Sequence, residues 1–229
     1  MIIHQGAISS TTETDVNKIH KYNVEFSIAL FEKAIEYSIP VKYASSASVY
    51  GKIHSEYGYL KKTINPLNFY ALSKATVDYW VMDNMDRFEQ IQGFRYFNVY
   101  GDRQPLKGAY APVVGLFLEQ WKRGEAFTIV GDGEQRRDFT HVNDVVRANI
   151  AAAERASDIS GEIINVGTGT NHSVNQIADM ICNSYTKNFI PPRPAEARVT
   201  LADISKAKKL LGYMPSIEIS DWIEQYKEL

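Results

Sequence analysis

The 229-residue chain has a single cysteine, Cys182. An internal disulfide and a Cys-rich metal site are therefore excluded, no metal site is expected, and one free thiol fits a reducing compartment. A basic excess is also missing: 25 Lys and Arg stand against 27 Asp and Glu, a formal charge of -2. That balance offers no polycationic surface to a nucleic-acid backbone. Long apolar runs are absent too, since Ala151 to Ala153 and Val113 to Leu118, broken by Gly115, are short beside the roughly 20 residues that span a bilayer. Met1 opens directly on Ile2-Ile3-His4, with no basic leader and apolar stretch of a secretory signal. The expectation is a soluble cytoplasmic protein with neither nucleic acid nor membrane as partner. Finally, none of the 14 glycines forms G-x-G-x-x-G or G-x-x-G-x-x-G, the loops that set a pyrophosphate on a helix N-terminus.

What is present builds an ordinary core: 45% of residues are hydrophobic and 23% charged, which excludes whole-chain disorder. The length corresponds to about 1.5 typical domains. Ile2 to Ile8 reads as a short buried strand with nothing before it to pair against. Asp15 to Ser38 has near-helical apolar spacing and ends before Pro40, after which Pro40 to Ser46 reads as a strand entering a small-residue turn. A polar loop over 52–65 leads to a helix from Phe69 to Glu89, and Gln92 to Tyr100 is aromatic and β-branched enough for the next strand. Strands alternating with helices at this spacing predict a parallel sheet covered by helices. Beyond it, the pattern predicts a helix over Pro112 to Arg123, a strand over Phe127 to Val130, and a helix over Asn143 to Ala156 with Asn143 as N-cap. Gly161 to Val166 reads as a strand and Gly167-Thr168-Gly169 as a turn, while Ser173 and Gln176 form a capping box for a helix to Tyr185. Pro191 to Pro194 reads as a linker, followed by helices over Ile204 to Leu211 and Ser220 to Leu229.

One constellation points to chemistry. Tyr70 and Lys74 lie four apart on a predicted helix and so share a face. A nearby ammonium favours the phenolate and lowers the phenol from its ordinary pKa of about 10, which makes tyrosine a usable base. Tyr57 and Lys61 repeat the spacing, but in the polar loop. Tyr70 instead follows a strand ending in the hydroxyl cluster Ser45-Ser46-Ala47-Ser48, and ligands bind beyond the carboxyl ends of strands in an open α/β sheet. Ser46 there can hydrogen-bond a substrate oxygen while Tyr70 takes its proton.

Taken together, Ser46-Ala47-Ser48-Val49-Tyr50-Gly51, Tyr70 to Lys74 and Arg95-Tyr96-Phe97-Asn98-Val99-Tyr100-Gly101 resemble the extended short-chain dehydrogenase/reductase family, specifically its nucleotide-sugar epimerases and dehydratases. The resemblance implies a Rossmann-like parallel sheet with helices on both faces and NADP or NAD as cofactor. Tyr70 would be the acid/base, Lys74 would hold the nicotinamide ribose and lower the tyrosine pKa, and Ser46 would assist. Gly131 to Phe139 matches the segment that binds the nucleotide diphosphate, with Arg137 as phosphate ligand; a guanidinium can pair two phosphate oxygens at once. His4 to Asp15, and Gly93 to Gly101 followed by Lys107-Gly108, resemble the ADP-glycero-manno-heptose 6-epimerases, in which the lysine matching Lys107 is a second acid/base. Arg193 to Asp203 is closer to the UDP-sugar epimerases, where residues matching Arg193 and Glu196 contact the nucleotide, and Ala109 stands where heptose epimerases tend to have a polar substrate contact. Asn98 completes the implied substrate set.

The missing glycine loop implies that the first strands of the Rossmann domain are absent and that only the nicotinamide half of the cofactor site remains: Gly6, Ala7, Ile8, Ser9, Asn23, Tyr70, Lys74 and Val99. The expected division is a partial NAD(P)-binding domain over 1–104, rejoined by 138–168, and a smaller α/β substrate-binding region over 105–137 and 169–229. The function implied is epimerisation of a nucleotide-diphosphate sugar by transient oxidation to a ketone, with ADP-heptose as substrate or, alternatively, a UDP-hexose in a 4-epimerase or 4,6-dehydratase. A non-catalytic sugar-nucleotide-binding fragment is a further alternative. A truncated sheet would leave an edge open to another polypeptide or to a second copy in a homo-oligomer.

Overall fold

The computed structural model describes residues 1–52, 64–104, 111–155 and 159–228. In chain order the elements are β1 (Ile2–His4), α1 (Val16–Ile19), a π-helical stretch (His20–Glu25), α2 (Phe26–Glu36), β2 (Val41–Ser46), a 3-10 turn (Ala47–Tyr50), α3 (Phe69–Asn84), β3 (Ile91–Tyr96), β4 (Asn98–Tyr100) and α4 (Val113–Lys122). They continue with β5 (Phe127–Val130), β6 (Arg136–Arg137), β7 (Phe139–His141), α5 (Val142–Glu154), β8 (Ile163–Val166), β9 (His172–Ser173), α6 (Val174–Ile181), β10 (Lys187–Ile190), α7 (Ser205–Leu211) and α8 (Ile219–Lys227).

The main sheet has the order β1-β2-β3-β8, and every pairing in it is parallel, as the strand–helix alternation predicts. Register aligns Tyr43 with Gly93 and Ile163, and Ser45 with Arg95 and Asn165, so these two rows share one face of the sheet. Gly93 is required by its neighbour, because a Cβ there would lie 2.6 Å from the Tyr43 ring. On this face α2 and α3 close a core that includes Phe31, Tyr43, Val77, Val81 and Ile91. On the other face Phe94 and Ile164 meet Ala148 and Ala152 of α5 and Ala207 of α7. A separate core around Phe117, Phe127, Ile177 and Trp222 joins α4, β5, α6 and α8. Among the described residues no helix is long and apolar enough to cross a membrane.

Several local expectations change. The expected strand to Ile8 stops at His4, because β1 matches β2 for three residues only; Ile3, expected to be buried, is 49% exposed on the sheet edge. The expected strand over Gln92 to Tyr100 divides at Phe97: β3 stays in the main sheet and β4 leaves to pair with β7. His141, rather than Asn143, caps α5, its Nδ1 accepting from the Asn143 amide. β10 precedes the proline-rich segment and pairs in parallel with β5, an unforeseen strand.

Candidate active site

The site forms where β2 ends. Ser46 is the last residue of β2 and caps the 3-10 turn, its Oγ accepting from the Ser48 amide (3.2 Å) and the Ser48 hydroxyl (2.9 Å). Gly51 closes that turn with φ +63°, and a Cβ there would sit 1.8 Å from the Asn65 carbonyl oxygen. The close approach, with the Asn65 amide donating to Val49 at 2.8 Å, sets the entry to α3 beside the turn. Asn68 then caps α3 through the Ala71 amide.

Tyr70 in the first turn of α3 lies close enough to Ser46 for the serine hydroxyl to act on its phenol, and Lys74 follows one helical turn later. Burial pushes the Tyr70 phenol above its ordinary range, and the Ser46 hydroxyl pulls it part of the way back. The lowering by Lys74 expected from the sequence is not found, because desolvation of the phenol sets the direction. Lys74 is 6% exposed. Burial lowers its ammonium to about 8 while Asp78 opposes the shift. Its Nζ donates to the Ala44 carbonyl at 2.7 Å, the one acceptor it takes among the described residues, which leaves two of its three N–H donors for a ligand.

Asn23, in the π-helical stretch, ties the segment after β1 to α3. It accepts from the Ile8 amide (2.8 Å) and donates to the Ile8 carbonyl and to Ser73 Oγ (3.0 Å each). Gly6, Ala7 and Ser9 flank this anchor and are exposed, a backbone path held near the Tyr70 helix. Val99, the middle residue of β4, packs on the core around Phe94 and Ile164, and the exposed Asn98 meets the Thr200 hydroxyl at 3.5 Å.

A second cluster gathers residues far apart in sequence. Arg137 Nη2 lies 3.5 Å and Arg193 Nη1 3.6 Å from the Glu196 carboxylate, so the three predicted nucleotide contacts converge. Lys107 and Ala109, like Tyr57 and Lys61, lie outside the described residues.

Three fully buried carboxylates among the described residues, Asp78, Asp138 and Asp144, were not singled out in the sequence, and the first two lie closest to the site. Asp138 is fully buried and accepts from the Thr168 and Gly169 amides, the Thr168 hydroxyl and the Ala202 amide. The Gly167-Thr168-Gly169 turn thus holds a carboxylate of its own chain as it leads to the Ser173–Gln176 capping box. Asp78, also fully buried, accepts from Tyr43 and Ser45 hydroxyls (3.0 Å each) and Arg95 Nε (2.9 Å). Its spacing of four from Lys74 was the available signal.

Residues 1–167 match the NAD dependent epimerase/dehydratase family. The chain belongs to this family. Over 223 residues it is 39% identical to an ADP-L-glycero-D-manno-heptose-6-epimerase of Thiobacillus denitrificans, covering 93% of this chain and 64% of that protein. The chain therefore spans just under two thirds of the length of that curated relative. Among solved structures it resembles a UDP-N-acetylglucosamine 4-epimerase from Methanobrevibacter ruminantium in complex with UDP-N-acetylmuramic acid, with TM-score 0.89, 28% identity, and coverage of 97% of this chain and 74% of that one. A UDP-glucuronic acid 4-epimerase variant from Bacillus cereus, in complex with UDP-4-deoxy-4-fluoro-glucuronic acid and NAD, superposes with TM-score 0.85 at 29% identity, covering 98% of this chain and 73% of that one. As an epimerase/dehydratase family member, the chain places Ser46, Tyr70 and Lys74 together at the carboxyl ends of parallel strands.

Proposed function

We propose that this chain provides the proton-transfer and nucleotide-sugar-binding parts of an NAD- or NADP-dependent nucleotide-sugar epimerase, with an ADP-glycero-manno-heptose as substrate. The observation that carries this reading is the gathering of Ser46, Tyr70 and Lys74 where β2 meets α3, with the Lys74 ammonium held on the Ala44 carbonyl two residues before Ser46. The residues fit a nicotinamide riboside: Lys74 has donors to spare for ribose hydroxyls, and the segment around Ile8 is pinned beside it by Asn23. A nicotinamide dinucleotide, when bound, supplies the acceptor and then the donor of the hydride.

The chain's own residues handle the proton and the orientation. Ser46 Oγ holds the carbinol oxygen within reach of Tyr70. Tyr70 Oη takes the hydroxyl proton as the C–H bond gives up its hydride, and the sugar becomes a ketone. Because burial raises the phenol, its deprotonated form depends on the positive charge of Lys74. Return of hydride to the opposite face needs a proton from another direction, and Lys107 is the residue proposed for it. Arg137 and Arg193 would hold the diphosphate and Glu196 the nucleotide, within a substrate-binding region over 105–137 and 169–229. The convergence of Arg137, Arg193 and Glu196 also favours a second reading, a UDP-hexose 4-epimerase, since the stretch from Arg193 to Asp203 resembles the UDP-sugar epimerases.

The test incubates the chain with NAD or NADP and either ADP-glycero-manno-heptose or UDP-galactose, follows epimer ratios by NMR, and measures dinucleotide binding in parallel. Turnover of the ADP sugar is expected. Turnover of the UDP sugar alone overturns the heptose assignment, and nucleotide-sugar binding without dinucleotide binding replaces the enzyme reading with a binding module.

A further inference from the structure

Behind Tyr70 and Lys74 lies a polar network that the proton-transfer chemistry does not use directly. Tyr70, Lys74 and Asp78 follow one another at intervals of four on α3 and share a face. Asp78 collects Tyr43, Ser45 and Arg95, and Arg95 Nη2 lies 2.8 Å from its Oδ2. Arg95, itself buried, donates through Nη1 to the Tyr50 hydroxyl at 2.9 Å and lays its guanidinium over the Tyr50 ring. Tyr50 is the last residue of the 3-10 turn that Ser46 caps, and its hydroxyl donates to Asn165 Oδ1 at 2.7 Å. Ser45 immediately precedes Ser46, and Ala44, the acceptor of Lys74, precedes Ser45. The network therefore touches the Ser46 turn at both ends and the Tyr70 helix one turn past Lys74.

Charge balance gives the arrangement a second consequence. One buried carboxylate faces two cations, Arg95 in contact and Lys74 on the next turn. With Arg95 in place, Asp78 is neutralised and the Lys74 ammonium remains on Ala44, beside Tyr70. Without Arg95, an uncompensated buried carboxylate would draw the ammonium down the helix.

We propose that Asp78 and Arg95 are positioning residues, whose ion pair fixes the Ser46 turn against α3 and keeps the Lys74 ammonium at the Ala44 carbonyl, on the face of α3 that carries Tyr70. The proposal rests on the proton-transfer reading of Ser46, Tyr70 and Lys74. The charged and titratable groups around Lys74 are Asp78 from α3, His4 from β1, whose imidazole is lowered by burial first and by Lys74 second, and Arg95 from β3 beyond Asp78, with Tyr70 one turn earlier on the same helix face.

The experiment reads Lys74 itself in the chain without cofactor, by competitive acetylation across pH with quantification of the Lys74 peptide. In Asp78→Asn the apparent pKa of Lys74 should fall by about half a unit or more, since a neighbouring negative charge is lost. Asp78→Glu should return it to the parent value. In Arg95→Met it should move upward, because Asp78 is left to Lys74 alone. A purely structural role produces no such opposition of sign. Shifts of the same sign, or no shift in Asp78→Asn, overturn the proposal; if Arg95→Met does not fold, the Asn and Glu variants still decide. Nucleotide and dinucleotide titrations of the parent chain separate the two readings: opposed Lys74 shifts with no ligand binding would sink the epimerase function and leave the brace intact.

Discussion

Asp78 and Glu196 are both carboxylates that face two cations, yet they are built on opposite plans. Asp78 is fully buried, with hydroxyl and guanidinium donors at 2.9–3.0 Å on residues from β2 and β3. The Glu196 side chain is 27% exposed, and its two arginines stand off at 3.5 and 3.6 Å. In the first case the low dielectric makes every contact strong and every omission expensive. In the second, Arg137 is largely buried, but water reaches Arg193 and part of Glu196, and the long contacts let the side chains change partners. The contrast matches the proposed division of labour: a proton-transfer group tolerates little displacement, whereas a diphosphate clamp must exchange protein partners for phosphate oxygens.

The sharpest way to break this comparison is at the reacting atom. Tyr70→Phe removes the proposed proton acceptor, so kcat for the proposed epimerisation should fall about 10²- to 10⁴-fold, with KM nearly unchanged because the ring still packs; steady-state kinetics on the NMR epimer assay checks both. Arg95→Met probes the same region through stability. Removing one partner of a buried ion pair costs about 3–5 kcal/mol, to be read as a lower urea midpoint at unchanged m. A loss under about 1 kcal/mol would place Arg95 with the surface pairs and erase the contrast. At the other cluster, Arg137→Ala removes a charged hydrogen-bond donor worth about 1.5–3 kcal/mol. It should raise KM for the nucleotide sugar roughly 10- to 100-fold and leave kcat alone; a fall in kcat at constant KM would move Arg137 from binding to catalysis.

The two clusters also differ in how far the sequence disclosed them. Tyr70 and Lys74 lie at helical spacing, so their shared face follows from periodicity, and Ser46 was legible as part of a hydroxyl cluster at the end of the preceding strand. Arg137, Arg193 and Glu196 are linked by motif resemblance alone, and the folding-back that joins them depends on the unexpected pairing of β10 with β5. Lys187 to Ile190 is too short and too polar beside two prolines to announce a strand. The row Ser45, Arg95 and Asn165 is a product of register among three strands; nothing local in any one of them says that the others lie opposite. Local capping misled for a similar reason, since His141 wins the cap of α5 only because β7 delivers it there against Tyr100.

Buried lysine gives the comparison a pH axis. Folded Lys74 releases its proton near 8, below its ordinary 10.5. Between these values the unfolded chain holds more protons, so the burial penalty, complete below pH 8, is relieved as pH rises and this group makes stability increase with pH. Lys42, fully buried against Gln92 and also lowered to about 8, adds a slope of the same sign. Urea midpoints for Lys74→Met and parent, measured between pH 7.5 and 10, should converge as pH rises; parallel curves would show that the folded ammonium is not desolvated.

The smallest effect belongs to the exposed clamp. Arg193 is half-exposed, and its contact with Glu196 spans three residues along the chain at 3.6 Å. A solvated pair of this kind contributes about 0–1 kcal/mol, because screening and the ordering of two long side chains offset the attraction. Glu196→Gln should therefore leave the urea midpoint within the range of an ordinary surface change while altering nucleotide-sugar affinity, since the free guanidiniums of Arg137 and Arg193 gain access to phosphate at the cost of a ribose acceptor. Titration with inorganic pyrophosphate isolates the first of these terms, and tighter binding than in the parent chain is expected. Equal pyrophosphate affinity would mean that Glu196 does not compete for the two arginines, and a loss of several kcal/mol of stability would mean that the cluster is braced like Asp78 after all.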